Sequence, residues 1–169
     1  LTKSLYRQFY LSGREKEFTD RGDIYIHDMR DMILGCINCC LFDIGSILRG
    51  GFEMSNVRYT EPKTVLSALQ VVGDITLVAT AQQFGGFTLA ELDKALLPYV
   101  LKSWKTAHDK YIELGLSEER AAEQSDKDVT RELEQGFQSL ELKLNTVPCS
   151  RGDFAFTTIS FGQWNLKDY

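Results

Sequence analysis

The chain has 169 residues, 43% of them hydrophobic and 25% charged, a composition that suits one globular core and excludes a disordered or fibrous class. A net charge of -5 and a pI near 5.1 leave no basic face for a phosphate backbone, so no nucleic-acid ligand is expected. The most apolar stretch, 64–81, carries Gln70, Gly73 and Asp74 near its middle, where a bilayer penalises a carboxylate most; it reads as a buried helix, and no membrane partner is expected.

In chain order, residues 1–17 have helical periodicity, with Leu5, Phe9 and Leu11 as apolar contacts and Gly13 weakening the end. Asp20-Arg21-Gly22-Asp23 is a turn. Ile24-Tyr25-Ile26-His27 is short, β-branched and aromatic, which predicts a strand, with Asp28 opening a loop. A second buried strand is expected over 36–42, followed by Asp43 as the N-cap of a short helix that stops at Gly50-Gly51. Thr60-Glu61-Pro62 has the chemistry of a helix start, predicting a helix to about Phe84 that Gly85-Gly86 ends in the left-handed region. A second long helix is expected from near Leu89, capped by Thr88, to Gly115, and a third, highly charged one from Ser117 to about Leu144, with Gly136 as a soft spot. Residues 154–161 alternate aromatic and β-branched positions with Thr and Ser, a strand that follows the Ser150-Arg151-Gly152 turn, where the arginine has the reach to meet a phosphate. Strands feeding helices in this way indicate an α/β fold.

Cysteine usage is the most informative feature. Cys36, Cys39, Cys40 and Cys149 occur with no basic leader ahead of them, so export is not expected and the thiols are read as reduced, in the cytoplasm. Cys39 and Cys40 are adjacent and point to opposite sides of a strand, which makes a disulfide between them a poor staple. Three readings stay open for the Cys36-Ile37-Asn38-Cys39-Cys40 cluster. A zinc site lacks a second pair at suitable spacing, so no metal is expected in this segment. Buried cysteines serving as small core residues are the bland reading. Redox or radical chemistry, with the Asn38 amide beside the thiol to hold a substrate hydroxyl, is the third. His27-Asp28 invites a metal-phosphohydrolase comparison, but no histidine precedes His27 to complete that site. His27 is then either an interior histidine bonded to a carbonyl or a donor to a ligand hydroxyl or phosphate. Neither glycine doublet forms a phosphate-cradling loop.

An ordered set of short motifs carries a family resemblance over nearly the whole chain. Ile24-Tyr25-Ile26-His27-Asp28, Asn38-Cys39-Cys40-Leu41-Phe42-Asp43-Ile44-Gly45, Leu48-Arg49-Gly50-Gly51-Phe52, Thr60-Glu61-Pro62-Lys63, Gln83-Phe84-Gly85-Gly86, Ser150-Arg151-Gly152 and Phe156-Thr157-Thr158-Ile159-Ser160-Phe161-Gly162 resemble, in this order, the anaerobic (class III) ribonucleoside-triphosphate reductases. The resemblance implies an α/β fold that is the first half of a ten-stranded α/β barrel of the ribonucleotide reductase and pyruvate formate-lyase type, with long flanking helices, so that residues 1–169 form a single partial domain, the N-terminal half-barrel.

The implied activity is reduction of ribonucleoside triphosphates to deoxyribonucleoside triphosphates by radical chemistry, using a glycyl radical located outside this chain and formate or a thiol as reductant. Cys39 resembles the strand-borne cysteine that assists reduction, with Cys40 as the alternative. His27 and Asn38 match positions lining the substrate pocket, so Cys39 is expected to face that pocket beside His27. Implied partners are the ribonucleoside triphosphate substrate, dNTP or ATP effectors, a radical-SAM activase and a second copy in a homodimer, the two long helices being the candidates for that contact. The thiyl-bearing loop and the glycyl-radical segment have no counterpart in the sequence, so the isolated chain is expected to be inactive. The alternatives are a non-enzymatic helical dimerisation or nucleotide-sensing module, or another glycyl-radical enzyme of the pyruvate formate-lyase type.

Overall fold

A computed structural model of the chain describes residues 1–30, 32–35, 38–54, 56–83, 85–148 and 152–162. The expectations for Cys36, Phe84, Cys149, Ser150 and Arg151 lie outside the described residues. Two short helices open the chain, α1 (Thr2–Phe9) and α2 (Gly13–Arg21), where one was expected. The break is set by Ser12, whose hydroxyl accepts from Glu15 N–H while the Glu15 carboxylate accepts from Ser12 N–H, a reciprocal capping box that starts a new helix at Gly13.

The expected strand over Ile24–His27 does not form. The segment joins no sheet among the described residues, and Tyr25 is 80% exposed, because β-forming composition needs a partner ladder to become a strand. Next come β1 (Cys40–Phe42), α3 (Ile44–Leu48), β2 (Phe52–Met54), β3 (Val57–Tyr59), α4 (Val65–Thr80), β4 (Phe87–Leu89), α5 (Leu92–Glu113), α6 (Glu118–Thr146) and β5 (Thr157–Ile159). Asp43 caps α3 as expected, accepting from Ser46 N–H at 3.1 Å. The β2–β3 hairpin was not expected from the sequence, and neither was β4, of which Thr88 and Leu89 read as the cap and start of the following helix.

The sheet is parallel, in the order β1-β4-β5, with Cys40 opposite Phe87 and Phe87 opposite Thr157. Phe87 and Leu89 are fully buried on the face that packs against the helices, together with Ile44, Leu48, Val72, Leu92 and Tyr99. The opposite face carries Cys39, Leu41, Phe156 and Thr158, all exposed. A parallel sheet is ordinarily covered on both faces, so this bare one is the unusual feature of the fold.

Helices α4, α5 and α6 form the support. Helix α4 begins at Thr64, four residues beyond the expected Thr60 cap, because its free N–H groups find tertiary partners only there. Val65 N–H donates to the Ser103 hydroxyl of α5 at 3.0 Å, Leu66 N–H to the Glu132 carboxylate of α6 at 3.1 Å, and Ser67 N–H to the Thr64 hydroxyl at 3.2 Å. Glu61, expected in the first turn, instead pairs with Lys102 and accepts from Gly50 N–H at 3.2 Å. Asp74, the residue that argued against a membrane span, pairs with Lys143 at 2.6 Å, and no helix among the described residues is long and apolar enough to cross a membrane. Gly136 is not a soft spot but a crossing point. A Cβ there would stand 2.5 Å from Leu69 Cδ1, so its absence lets α6 lie directly on α4.

Gly136→Val is therefore expected to lower stability by about 1–3 kcal/mol through overpacking against Leu69, measured by urea unfolding. Tyr99 gives a second expectation. It is fully buried, its hydroxyl makes no hydrogen bond among the described residues, and burial together with the nearby Glu61 charge pushes its pKa to about 12. Because the folded state holds this proton more tightly than the unfolded chain does, stability contributed by Tyr99 is intact below pH 10 and lost as the pH rises toward 12. Tyr99→Phe is expected to be at least as stable as the parent at pH 7 and to flatten that alkaline slope, read by unfolding at a series of pH values.

Candidate functional site

The amino end of β1 and the turn before β4 meet on the bare face of the sheet. Cys40 N–H donates to Gly86 O at 3.0 Å, which fixes Cys39 opposite Gly86. Gly86 N–H then donates to Cys39 Sγ at 3.3 Å. The Gln83 side chain, only 4% exposed, secures this turn by donating to Gly85 O at 3.1 Å and Gly86 O at 2.9 Å. Gly85 and Gly86 do not occupy the left-handed region expected of a helix stop. Gly85 serves a close approach instead: a Cβ there would meet Asn38 Oδ1 at 2.1 Å and Asn38 O at 2.3 Å.

From the sulfur, a continuous line of polar groups runs to His27. The Cys39 thiol donates to Asn38 Oδ1 at 3.3 Å, Asn38 Nδ2 donates to Asp28 Oδ2, and the same Asp28 oxygen faces His27 Nδ1. The structure thus joins three residues singled out by sequence, His27, Asn38 and Cys39, though Cys39 and His27 communicate through two side chains and not by direct contact. The His27 ring is 71% exposed on its outer side, while the Asp28 carboxylate is only 22% exposed. Asp28 also holds a left-handed backbone, φ 57°, which Asp and Asn tolerate better than other side chains. Asp28, Gln83 and the Gly86 N–H were not among the residues proposed for chemistry. The sequence signals were the His27-Asp28 doublet and the Gln83-Phe84-Gly85-Gly86 motif, but nothing local shows that either reaches Cys39.

Cys39 and Cys40 differ sharply. Cys39 is exposed on the bare face, whereas Cys40 points to the other side and borders an apolar cavity of about 370 Å³ formed by Phe42, Ile47, Phe52, Met54 and Ile75. Burial, and then the neighbouring Cys39, push the Cys40 thiol above its ordinary pKa. This apolar hollow thus lies on the Cys40 side of the strand, away from the Cys39 sulfur. Among the described residues, no group of three or more His, Cys, Asp or Glu side chains is placed to hold a metal ion.

The family model described as anaerobic ribonucleoside-triphosphate reductase matches residues 1–167. The chain is similar to the anaerobic ribonucleoside-triphosphate reductase of Enterobacteria phage T4, with 31% identity over 169 residues, covering 96% of this chain and 26% of that protein. The Escherichia coli protein of the same name is 29% identical over 163 residues, covering 96% of this chain and 23% of that protein. The chain therefore spans about a quarter of the length of these relatives. In fold it resembles the anaerobic ribonucleotide reductase from Thermotoga maritima, whose crystal structure is a complex with dATP and CTP, with a TM-score of 0.64 at 19% identity over 94% of this chain and 24% of that one.

Since the thiolate is the reacting species, Cys39 is expected to alkylate with iodoacetamide faster than Cys40 at pH 7.5, with tandem mass spectrometry separating the adjacent sites. Equal rates, or faster modification of Cys40, would contradict the two environments described.

Proposed function

The chain belongs to the anaerobic ribonucleoside-triphosphate reductase family, and from that premise we propose that it contributes the strand-borne thiol and part of the nucleotide pocket to the reduction of ribonucleoside triphosphates. The observation that carries this reading is the placement of Cys39: its sulfur lies on the uncovered face of a parallel sheet and is tied through Asn38 and Asp28 to His27. Cys39 is the hydrogen-donating thiol, and Asn38 and His27 present polar groups to the ribose and phosphate of the substrate. Cys40 is the less suitable candidate, since its sulfur turns toward the apolar cavity.

The bare sheet face supports a barrel assignment. Strands β1, β4 and β5 are the first strands of a ten-stranded barrel whose interior is the side carrying Cys39, and the remaining strands cover that face and exclude water from the thiol. A glycyl radical outside residues 1–169 supplies the unpaired electron that starts the reaction, with formate or a thiol as reductant. No residue of this segment is assigned to hold a metal. The working assembly is a cytoplasmic homodimer regulated by dNTP or ATP effectors and activated by a radical-SAM enzyme, with α4 and α5 as the contact helices; Leu101 of α5 is an apolar side chain left 58% exposed.

The test is made in an assembled reductase that contains this segment, under strict anoxia. Cys39→Ser is expected to abolish deoxyribonucleotide formation while the glycyl-radical signal in electron paramagnetic resonance persists, and Cys40→Ser is expected to retain turnover. Undiminished turnover in Cys39→Ser, or selective loss in Cys40→Ser, would refute the assignment. The 169-residue chain alone, mixed with activase and substrate, is expected to form no product.

A further inference from the structure

The sulfur of Cys39 meets opposite kinds of group on its two sides. Gly86 N–H is a donor to the sulfur, and Asn38 Oδ1 is an acceptor of its hydrogen. The second contact depends on which way round the Asn38 amide stands. A primary amide rotated by half a turn exchanges oxygen for nitrogen at nearly constant shape, so packing alone scarcely distinguishes the two orientations. An ionised carboxylate does distinguish them, because it only accepts: facing Nδ2 it gains a charge-assisted hydrogen bond, and facing Oδ1 it meets another acceptor. Asp28 Oδ2 stands at that position and is shared with His27 Nδ1.

We propose that Asp28 is a positioning residue of this site, whose single carboxylate oxygen, held between His27 Nδ1 and Asn38 Nδ2, fixes the Asn38 amide with its oxygen on the Cys39 thiol. Two features of the structure serve this role. The left-handed backbone at Asp28 turns the chain between His27 and the following residues so that the carboxylate lies mostly covered, between the two partners. Gly85 leaves Asn38 the room to lie against the turn that carries Gly86. The consequence is chemical. With Asn38 Oδ1 as its acceptor, the S–H hydrogen of Cys39 is directed at the amide; with the amide reversed, an N–H would face the sulfur in place of that acceptor. The same carboxylate oxygen also faces His27 Nδ1, so it holds the imidazole ring as well as the Asn38 amide.

This inference rests on Cys39 being the thiol of the proposed reaction, but it is tested on the sulfur itself in the 169-residue chain, so a failed turnover assay and a failed positioning assay are separate results. Asp28→Asn keeps the size of the side chain, tolerates the left-handed backbone and adds a donor, which frees the Asn38 amide to reverse. Alkylation of Cys39 by iodoacetamide at pH 7.5 is expected to rise about tenfold in Asp28→Asn, the scale of effect when an acceptor on a thiol gives way to a donor, while Cys40 alkylation is unchanged. In an Asn38→Ala background the same substitution is expected to change nothing further, since its route to the sulfur is gone. A Cys39 rate in Asp28→Asn within twofold of the parent would overturn the proposal, and so would an increase of equal size in the Asn38→Ala background, which would mark a through-space charge effect. A measurement on the parent chain stands independently of any variant's folding. The Asn38 side-chain NH₂ should exchange with solvent more slowly than that of an exposed asparagine such as Asn56, and equal exchange would overturn the proposal.

Discussion

The pairing of β4 between β1 and β5 is the constraint on which the rest depends. Phe87 and Leu89 have no exposure to solvent, so the strand cannot slip by one residue without turning both side chains out of the core. That register places Gly86 opposite Cys39 and Thr88 opposite Leu41. The site is therefore held by burial on the far side of the sheet. Phe42 and Phe87, whose rings stand 4.8 Å apart, anchor the same two strands that bring the Gly86 N–H to the Cys39 sulfur.

Adjacent cysteines where such a strand begins, Cys39 just before β1 and Cys40 as its first residue, inherit different chemistry from the period of two alone. Cys40 lies among apolar side chains, where burial disfavours its thiolate, whereas Cys39 has a backbone N–H on one side and the Asn38 amide on the other. Proposing Cys39 as the reacting thiol thus assigns chemistry to the sulfur with polar partners and packing to the sulfur without them. In that proposed reading the bare sheet face is the inner wall of a barrel, and the polar line from Cys39 to His27 is part of its lining.

The helices contribute rigidity at a distance. The N-terminus of α4 is satisfied by groups from α5 and α6, so the three cannot separate without exposing unpaired N–H groups. Gly136 lets α6 approach Leu69, and Lys143 reaches Asp74 further along the same pair. Helix α4 then leads into Gln83, whose buried amide holds the Gly85-Gly86 turn in place. The cysteine is in this way connected to the helical platform through one glutamine.

Local chemistry was readable wherever a residue's partner lay within a few positions. The Asp43 cap of α3, the Gly50-Gly51 stop with both residues at positive φ, the end of α5 at Gly115 and the start of α6 after Ser117 follow from short-range rules. The motif order also carried the family, and with it Cys39, Asn38 and His27 as residues to look for. Tertiary structure decided what depends on distant partners. Ile24–His27 has the composition of a strand but joins no ladder, while Thr88 and Leu89, read as the cap and start of a helix, belong to strand β4 because β1 and β5 flank it. Thr64 prevails over Thr60 as a cap because Ser103 and Glu132 wait beside it. The link from Cys39 to His27 belongs to the same class: the sequence supplied the residues at its ends, but only the folded chain brings the Asp28 carboxylate between His27 and an asparagine ten positions away.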